Sequence, residues 1–314
     1  MTRAVDRADL ASALIVANPA AGAHTTALVD EVVEACRARF KECALTLTAG
    51  PGDATAAAAE SRCDVVVCVG GDGTVREVAE GLASRRAQRP ALLVLPAGSG
   101  NSFCRGLWGE RDWRQVLSSA LDHEYPYVRQ LDLLRIAEHD RAAMLGVSAG
   151  FLAEVLVAAR SVTGLAGADR YRAGAAAVLA DMPTFPARLV VDDAAVYEGR
   201  ACLVNIGGGC WRAAGMLRLM PRSVLDDGLL DVCVIDALPP DELATLLPLI
   251  TTGEHLDHPR VTYAQGNRTV LTRTDDRPLL TEADGDVLPG EYATLSVDLR
   301  PGLIGVVAPP PDRN

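Results

Sequence analysis

Apolar residues in the first 130 positions of the chain follow two alternating spacings. Short continuous apolar runs are typical of strands that are buried on both faces of a parallel sheet. Between them lie stretches with apolar residues three and four positions apart, which predict helices with one buried side. This alternation predicts an α/β domain whose mostly parallel sheet is covered by helices. The predicted strands are Ala11–Ala17, Leu45–Thr48, Asp64–Val69 and Ala91–Leu95, and the predicted helices are Thr25–Phe40, Asp53–Ser61 and Thr74–Arg86.

The pattern changes after about residue 130, where strand-like runs come in pairs joined by short segments. Such pairs are typical of hairpins. The predicted fold class is α/β, with an N-terminal parallel-sheet domain at residues 1–129 and a C-terminal, largely antiparallel β domain at residues 130–300. Residues 301–314 are a candidate for a segment that rejoins the first domain. The paired runs are Leu131–Ala137 with Ala142–Ser148, Ala187–Asp192 with Val196–Ile206, and Val261–Ala264 with Thr269–Thr272; the predicted helices are Phe151–Arg160, Arg170–Leu179 and Asp241–Ile250.

Composition and charge narrow the functional classes. The formal charge of −11 argues against a nucleic-acid-binding protein, which needs a basic surface, and against docking on anionic membranes by overall charge. Eight cysteines without a C-x-x-C pair predict free thiols in a reduced compartment. The sequence has no readable signal peptide and no apolar run of the ~18–20 residues that a transmembrane helix needs. We therefore expect a cytoplasmic protein whose membrane contact is peripheral, and a homodimer is one option for its assembly.

The strongest chemical signal is the turn Gly70-Gly71-Asp72-Gly73-Thr74, which follows a buried strand and opens a predicted helix. Consecutive glycines let the backbone approach a ligand, and the N-terminus of a helix offers N–H groups to an anion. The turn also lies at the carboxyl end of a strand, where ligands of parallel sheets bind. Asp72 would repel a phosphate but suits a Mg²⁺ partner or a proton acceptor beside it. The alternative is a plain strand-to-helix turn in which Asp72 serves as a cap.

Two familiar phosphate-binding loops are excluded. A Walker A loop needs a lysine after its last glycine, whereas the one lysine of this chain is Lys41. A dinucleotide-binding G-x-G-x-x-G motif is excluded as well, because Arg76 occupies the position of its last glycine. The turn is therefore a phosphate loop of another kind.

The segment GGDGTVREVAEGL at residues 70–82 resembles the signature of the diacylglycerol kinase catalytic domain family, which includes bacterial lipid kinases, sphingosine kinases and ceramide kinases. Related turns occur in NAD kinases and phosphofructokinases, so this motif alone indicates a nucleotide kinase. Further landmarks of the family follow in order along nearly the whole chain and favour the lipid-kinase branch. These landmarks are Asn18–Gly22, Thr48 with Gly52-Asp53-Ala54, Leu95–Phe103, Asp226–Val232, His258-Pro259 and Asp284-Gly285-Asp286.

The resemblance implies an ATP- and Mg²⁺-dependent kinase that phosphorylates a hydroxyl of a diacylglycerol or sphingoid-like lipid at a membrane surface. Asp286, at the position of the family's D-G-E glutamate, would be the catalytic base, and Asp72 would lie at the phosphates near the catalytic Mg²⁺. A second, structural Mg²⁺ would be bound by the Asp227 carboxylate and the carbonyls of Val224 and Leu229. The implied nucleotide-binding residues are Thr48, Gly70, Gly71, Asp72, Gly73, Thr74, Arg76, Gly98, Ser99 and Asn101.

The chain departs from the family pattern at its predicted base. Asp286 is one methylene shorter than glutamate, so its carboxylate would fall about an ångström short, and such a misplacement can cost ~10²-fold in rate. In the phosphate turns, Ser99 replaces threonine, Ser102 replaces aspartate, and Arg76 replaces asparagine and could bring a positive charge to the phosphates. Two alternatives stay open: an inactive regulator that binds nucleotide and lipid, and an NAD kinase-like enzyme with a soluble substrate.

A rival motif is Gly146-Val147-Ser148-Ala149-Gly150, which fits the G-x-S-x-G nucleophile elbow of α/β-hydrolases. His255 and His258 follow it in the permitted chain order. However, the sequence before the motif is hairpin-like, and the chain has no HGGG-type oxyanion segment. The kinase interpretation is therefore favoured, and it places Ser148 in a strand of the second domain.

Overall fold

The computed structural model describes residues 3–4, 10–22, 26–86, 89–121, 127–165, 167–213 and 215–310. The strands are β1 (Arg3–Ala4), β2 (Ser12–Ala17), β3 (Glu42–Leu47), β4 (Val65–Gly70), β5 (Ala91–Pro96), β6 (Tyr127–Ile136), β7 (Arg141–Ala143), β8 (Gly146–Gly150), β9 (Phe185–Val191), β10 (Ala194–Gly207), β11 (Leu230–Asp236), β12 (Val261–Gly266), β13 (Arg268–Arg273), β14 (Thr281–Ala283), β15 (Asp286–Val287) and β16 (Thr294–Val307). The helices are α1 (Thr26–Arg37), α2 (Asp53–Glu60), α3 (Asp72–Ala83), α4 (Ser102–Trp108), α5 (Trp113–Leu121), α6 (Phe151–Ser161), α7 (Gly167–Ala180) and α8 (Pro240–Thr252).

The chain divides into two compact units, one of Met1–Asp132 with Pro301–Asn314 and one of Leu133–Arg300. The first unit has a parallel sheet in the order β16-β5-β4-β2-β3, as the continuous apolar runs predict. β4 is buried along its whole length and its neighbours β2 and β5 almost completely, because helices cover both faces.

The register of this sheet brings the loops of the first unit together. Ala17 pairs with Val69, and Gly70 pairs with Pro96, so β2, β4 and β5 end side by side. The segments that follow these strands therefore meet at the carboxyl edge of the sheet, which is the ligand-binding edge of parallel α/β sheets.

The second unit is built on antiparallel pairs in the order β15-β14-β8-β10-β9-β13-β16, with β11 on β10 and β12 on β11. The long strand β10 pairs with β9 along its first half and with both β8 and β11 along its second half. One apolar core lies against this sheet and a second one packs under α6 and α8. The largely antiparallel second half that the paired runs predict is confirmed.

Two of the three predicted strand pairs are hairpins, and the third prediction is wrong. β6 pairs with β7 and β9 pairs with β10, although β7 ends at Ala143 and the following residues form the separate strand β8. β12 and β13 do not pair with each other within this fully described segment: β12 pairs with β11, whereas β13 pairs with β9 and β16. A single residue, Asn267, connects β12 to β13, and this connection is too short for the two-residue loop of a tight hairpin.

Two expectations about the environment of the chain can be compared with the structure. All eight cysteines carry free thiols, as predicted. No helix in the described part of the chain is long and apolar enough to cross a bilayer.

Candidate active site

The glycine-rich turn leaves β4 and enters α3 at Gly71, whose backbone is extended (φ −94°, ψ −175°). Thr74 lies buried in the first turn of α3, and its backbone N–H donates to the Gly71 carbonyl over 3.0 Å. The Thr74 hydroxyl accepts a hydrogen bond from Nδ2 of Asn18 over 3.1 Å. Thr74 therefore joins the loop after β2 to the loop after β4.

Asp72 caps the helix α4, which begins 30 residues further along the chain. Its Oδ2 accepts from the Ser102 N–H and its Oδ1 from the Phe103 N–H, both over 3.0 Å. Ser102 and Phe103 are buried, so these amides would otherwise lack an acceptor at the start of the helix. The sequence raised a capping role for Asp72 only in its own turn, whereas the structure places that role on a second helix.

Asn101 shapes the second turn, which follows β5. Its Oδ1 accepts from the Gly98 N–H and its Nδ2 donates to the Gly98 carbonyl, both over 2.8 Å. The backbone of Asn101 is left-handed (φ 53°), a conformation that asparagine tolerates better than most residues. Ser99 is exposed at this turn, and its hydroxyl lies against Gly22 from the loop after β2.

The two turns touch at Gly71 and Gly98. A Cβ atom on Gly71 would lie 3.2 Å from the Gly98 Cα, and one on Gly98 would overlap the Gly71 Cα. Packing therefore requires glycine at Gly98, and the two turns form one continuous backbone surface after β4 and β5.

Gly98→Ala is expected to destabilise the protein by about 1–3 kcal/mol, because the added methyl group overpacks the contact with Gly71. The displaced turn should also weaken ATP binding. Thermal unfolding and calorimetric ATP titration check both effects. Gly106→Ala on α4 is the matched control, because nothing lies within 4 Å of a Cβ there. Equal behaviour of the two variants would contradict the contact between the turns.

Thr48 and Arg76 lie beside these turns. The Thr48 N–H donates to the Ala17 carbonyl over 3.0 Å. Arg76 is buried on α3, and its guanidinium pairs with Glu80 over 2.9 Å and lies 3.9 Å from Glu77. These ion pairs occupy the guanidinium on its own helix, so the contact of Arg76 with phosphates stays a prediction without geometric support.

The D-G-D segment of the second unit forms a tight hairpin between β14 and β15. Ala283 pairs with Asp286 across it, and the two loop residues Asp284 and Gly285 both have positive φ (48° and 89°). Two positive φ values define a type I′ turn, for which Asp-Gly is a preferred dipeptide. The sequence therefore contained a hairpin signal at this position that the family resemblance concealed.

The Asp284 carboxylate fixes this hairpin to the segment before β8. It accepts from three consecutive backbone N–H groups, those of Met144 (2.7 Å), Leu145 (2.9 Å) and Gly146 (3.0 Å). Burial raises the pKa of Asp284, and the three donors oppose this effect. Asp284 is therefore an anchor of the turn, because its carboxylate is taken up by these backbone donors.

Asp286 is half-exposed and forms an ion pair. Its Oδ2 lies 2.6 Å from Nη2 of Arg141, on β7. The side chains of Arg141 and Asp286 are 22% and 48% exposed, respectively. The predicted base is thus accessible and lies in an ion pair with a cation.

A buried polar cluster lies behind the hairpin. Glu282, Ser148 and Asn205 lie opposite one another on β14, β8 and β10. Oδ1 of Asn205 accepts from the Ser148 hydroxyl (2.7 Å) and from Nε of Arg212 (3.0 Å), and Glu282 accepts from the Gly285 N–H (2.8 Å). Burial raises the pKa of Glu282, while the Gly285 N–H and Arg212 lower it. Sequence reasoning missed Glu282, on β14, and Arg212, in the segment between β10 and β11, because an isolated charge in the sequence looks like a solvent-facing position.

The hydrolase alternative does not fit this arrangement. Ser148 is 2% exposed inside β8, so the G-x-S-x-G segment is a strand instead of an exposed elbow. His255 is fully buried, with Nε2 3.0 Å from the Leu219 carbonyl, and burial lowers its pKa. Ser148 has no histidine partner among the hydrogen bonds of the described residues, and it serves the buried cluster.

The predicted structural metal site lies in the turn before β11. Gly228 has positive φ (78°), and Oδ1 of Asp227 accepts from the Leu229 N–H over 3.0 Å. Asp227 and Val224 are exposed. The described residues contain no cluster of three or more His, Cys, Asp or Glu that could hold a metal, but one carboxylate with two carbonyls is a different donor set. Such oxygen donors suit a hard cation, and the site stays a prediction.

Two family models match the chain in order. Residues 12–135 match the diacylglycerol kinase catalytic domain, and residues 146–308 match the YegS C-terminal NAD kinase beta sandwich-like domain. This chain belongs to the diacylglycerol kinase catalytic domain family. By family it is a lipid kinase, as predicted from the sequence.

Full-length relatives support this assignment. A diacylglycerol kinase of Staphylococcus saprophyticus is 28% identical over 290 residues, which cover 90% of this chain and 92% of the relative. One from Staphylococcus aureus strain Newman is 27% identical over 290 residues, covering 90% and 89%. A crystal structure of a diacylglycerol kinase from Bacillus anthracis str. Sterne has a TM-score of 0.73 at 22% identity, over 96% of this chain and 97% of that one. This last likeness supports the fold.

Proposed function

We propose that the chain transfers the γ-phosphate of ATP to a hydroxyl of a diacylglycerol or sphingoid-like lipid, with Mg²⁺ as the required cation. The observation that carries this proposal is the open space at Gly73. A Cβ atom there would meet nothing within 4 Å, so no packing contact requires glycine at this position. A ligand that closely approaches the backbone does require it, and the adjacent N-terminus of α3 favours an anion. ATP phosphates fit both conditions.

Several residues around this space contribute to nucleotide binding, each in a different way. The N–H of Gly73 lies in the first turn of α3, where backbone donors have no acceptor within the helix, and it binds a phosphate. The exposed hydroxyl of Ser99 lies on the second turn and donates a further hydrogen bond. Gly71 and Gly98 keep the two turns together, and Asn101 holds the second turn in shape. Thr48 directly follows β3 and borders the nucleotide.

Mg²⁺, when bound, neutralises charge on the phosphates. Asp72 fits a position beside it, because its carboxylate lies where the turn after β4 meets the start of α4, and a carboxylate is a preferred ligand of Mg²⁺. The second cation fits the Asp227 carboxylate and the carbonyls of Val224 and Leu229, an all-oxygen set.

Asp286 accepts the proton of the attacking lipid hydroxyl. Its half-exposed carboxylate is reachable, whereas Glu282 is buried and the Asp284 carboxylate accepts three backbone N–H groups that hold the turn. Phosphoryl transfer depends mainly on positioning and charge stabilisation, so a well-oriented aspartate can perform this role. The lipid is met at a membrane surface from the cytoplasmic side.

Gly73→Ala is expected to leave the melting temperature unchanged or slightly higher, because alanine favours a helix and meets no neighbour. The same methyl group should weaken ATP binding by about tenfold or more, since it occupies the space proposed for the phosphates. Thermal unfolding and ATP titration separate the two effects. An unchanged affinity for ATP would contradict the proposed phosphate site.

The proposed acceptor class is tested by offering labelled ATP with diacylglycerol, a sphingoid base, ceramide or NAD, each with Mg²⁺ and with chelator. We expect label in a lipid and only when Mg²⁺ is present. Saturable phosphorylation of NAD without lipid labelling would favour the NAD kinase-like alternative and overturn the lipid acceptor.

A further inference from the structure

The proposed base, Asp286, contacts an arginine of the β6–β7 hairpin. Asp286 lies on the two-residue strand β15, and its side chain is 48% exposed, so packing alone does not hold its carboxylate. A half-exposed aspartate samples several rotamers unless a partner selects one. Arg141 is such a partner, since its Nη2 donates to Oδ2 of Asp286 over 2.6 Å.

Arg141 is itself held firmly. Its backbone pairs with Ile136 in the β6–β7 hairpin, and its side chain is about four-fifths buried. A buried stem leaves the guanidinium few alternative positions, and the planar fork gives its hydrogen bonds a fixed direction. The ion pair therefore joins a half-exposed carboxylate to a cation whose side chain is largely buried.

The backbone of the base is fixed separately. The β14–β15 turn is closed by the Gly285 N–H on Glu282 and by Asp284 on the segment before β8. These contacts set the Cα position of Asp286 and involve none of its side-chain atoms. The ion pair with Arg141 acts on the carboxylate itself.

We infer that Arg141 is a positioning residue for phosphoryl transfer, which orients the Asp286 carboxylate toward the lipid hydroxyl. The inference rests on the proposed lipid-kinase function. This role explains how an aspartate can serve at this position. The side chain of aspartate reaches less far than that of glutamate, and Arg141, at hydrogen-bonding distance, holds its carboxylate in one orientation. Because the transition state of phosphoryl transfer is loose, orientation of the base matters more than its strength.

An ion pair with a half-exposed partner contributes little to stability, so this role predicts a particular separation of effects. Arg141→Met should lower kcat for lipid phosphorylation about tenfold, with an unchanged KM for ATP and a melting temperature lowered by only a few degrees. Arg141→Lys should recover part of the rate, since it restores a charge without the planar fork. Arg135→Met is the matched control, because Arg135 forms an ion pair with Asp140 (2.7 Å) on the same hairpin. Its kcat should equal that of the wild type.

The decisive test repeats Arg141→Met in an Asp286→Asn background, using residual transfer from labelled ATP over long incubation. If Arg141 acts through Asp286, its loss should change the residual rate less than twofold there. An equal, tenfold loss in both backgrounds would overturn the inference and leave a general structural role. An unchanged kcat of Arg141→Met with Asp286 intact would overturn it as well.

A second cycle measures unfolding of the same four proteins and needs no activity. The pair should couple by about twofold to fivefold in the unfolding equilibrium constant. Coupling in this cycle, together with a wild type that phosphorylates no lipid, would overturn the proposed function and with it the positioning role, leaving only the ion pair. Absence of coupling with an active wild type would overturn the inference alone.

Discussion

Asp286→Asn is expected to lower kcat for lipid phosphorylation by about 10²–10⁴-fold, the range that a general base contributes. The amide cannot accept the proton of the lipid hydroxyl, but its oxygen can still accept from Arg141, so the hairpin should keep its shape. The KM for ATP should stay unchanged, because none of the residues proposed to bind the nucleotide is altered. Initial rates with labelled ATP and lipid micelles, measured at several ATP concentrations, give both quantities.

The matched control for this variant is Asp140→Asn. Asp140 pairs with Arg135 over 2.7 Å and is highly exposed, so the same chemical change removes a similar ion pair elsewhere in the second unit. Its rate should equal that of the wild type. A rate within twofold of wild type for Asp286→Asn would assign the base to another residue.

Asp72→Ala is expected to reduce both stability and turnover. The change removes the acceptor of two buried backbone N–H groups, those of Ser102 and Phe103, at a cost of about 2 kcal/mol or more. Loss of the hydrogen bonds from Asp72 to the start of α4, and of the carboxylate near the phosphates, should lower kcat by about 10²-fold or more. Asp72→Asn should recover part of the stability, since one oxygen remains to accept, but little of the rate.

Asp112→Ala is the control that separates capping from chemistry. Asp112 accepts from the Gln115 N–H over 2.9 Å at the start of α5, away from the glycine turns. Its loss should lower the melting temperature modestly and leave kcat unchanged. If Asp72→Ala behaves in the same way, with a lower melting temperature and an unchanged rate, Asp72 is a cap and nothing more.

The general fold was predictable from the sequence because its determinants are local. A strand buried on both faces must be a continuous apolar run, as in Asp64–Val69, so the parallel sheet is visible in the pattern of residues. The glycine turn was equally visible, because consecutive glycines directly after an apolar strand are a local feature of the sequence. The predicted pairing of β12 with β13 was wrong for the opposite reason. These two strands are neighbours in the sequence, but β12 pairs with β11, and β13 pairs with β9 and β16.

The parts of the site that sequence reasoning missed depend on contacts between distant residues. Asp72 caps a helix 30 residues away, and Asp286 pairs with Arg141 across 145 residues. No local spacing encodes such contacts, because they depend on the sheet register that brings the segments together. The concern that Asp286 is too short was argued from side-chain length alone, without the cation that holds it.

Transfer of labelled phosphate from ATP to lipid by the purified wild-type protein, in mixed micelles with Mg²⁺, tests the central claim most directly. We expect a labelled lipid that carries one added phosphate, formed at a rate that saturates with both ATP and lipid. Measurable ATP binding without transfer to diacylglycerol, a sphingoid base or ceramide would contradict the account and favour an inactive nucleotide-binding regulator.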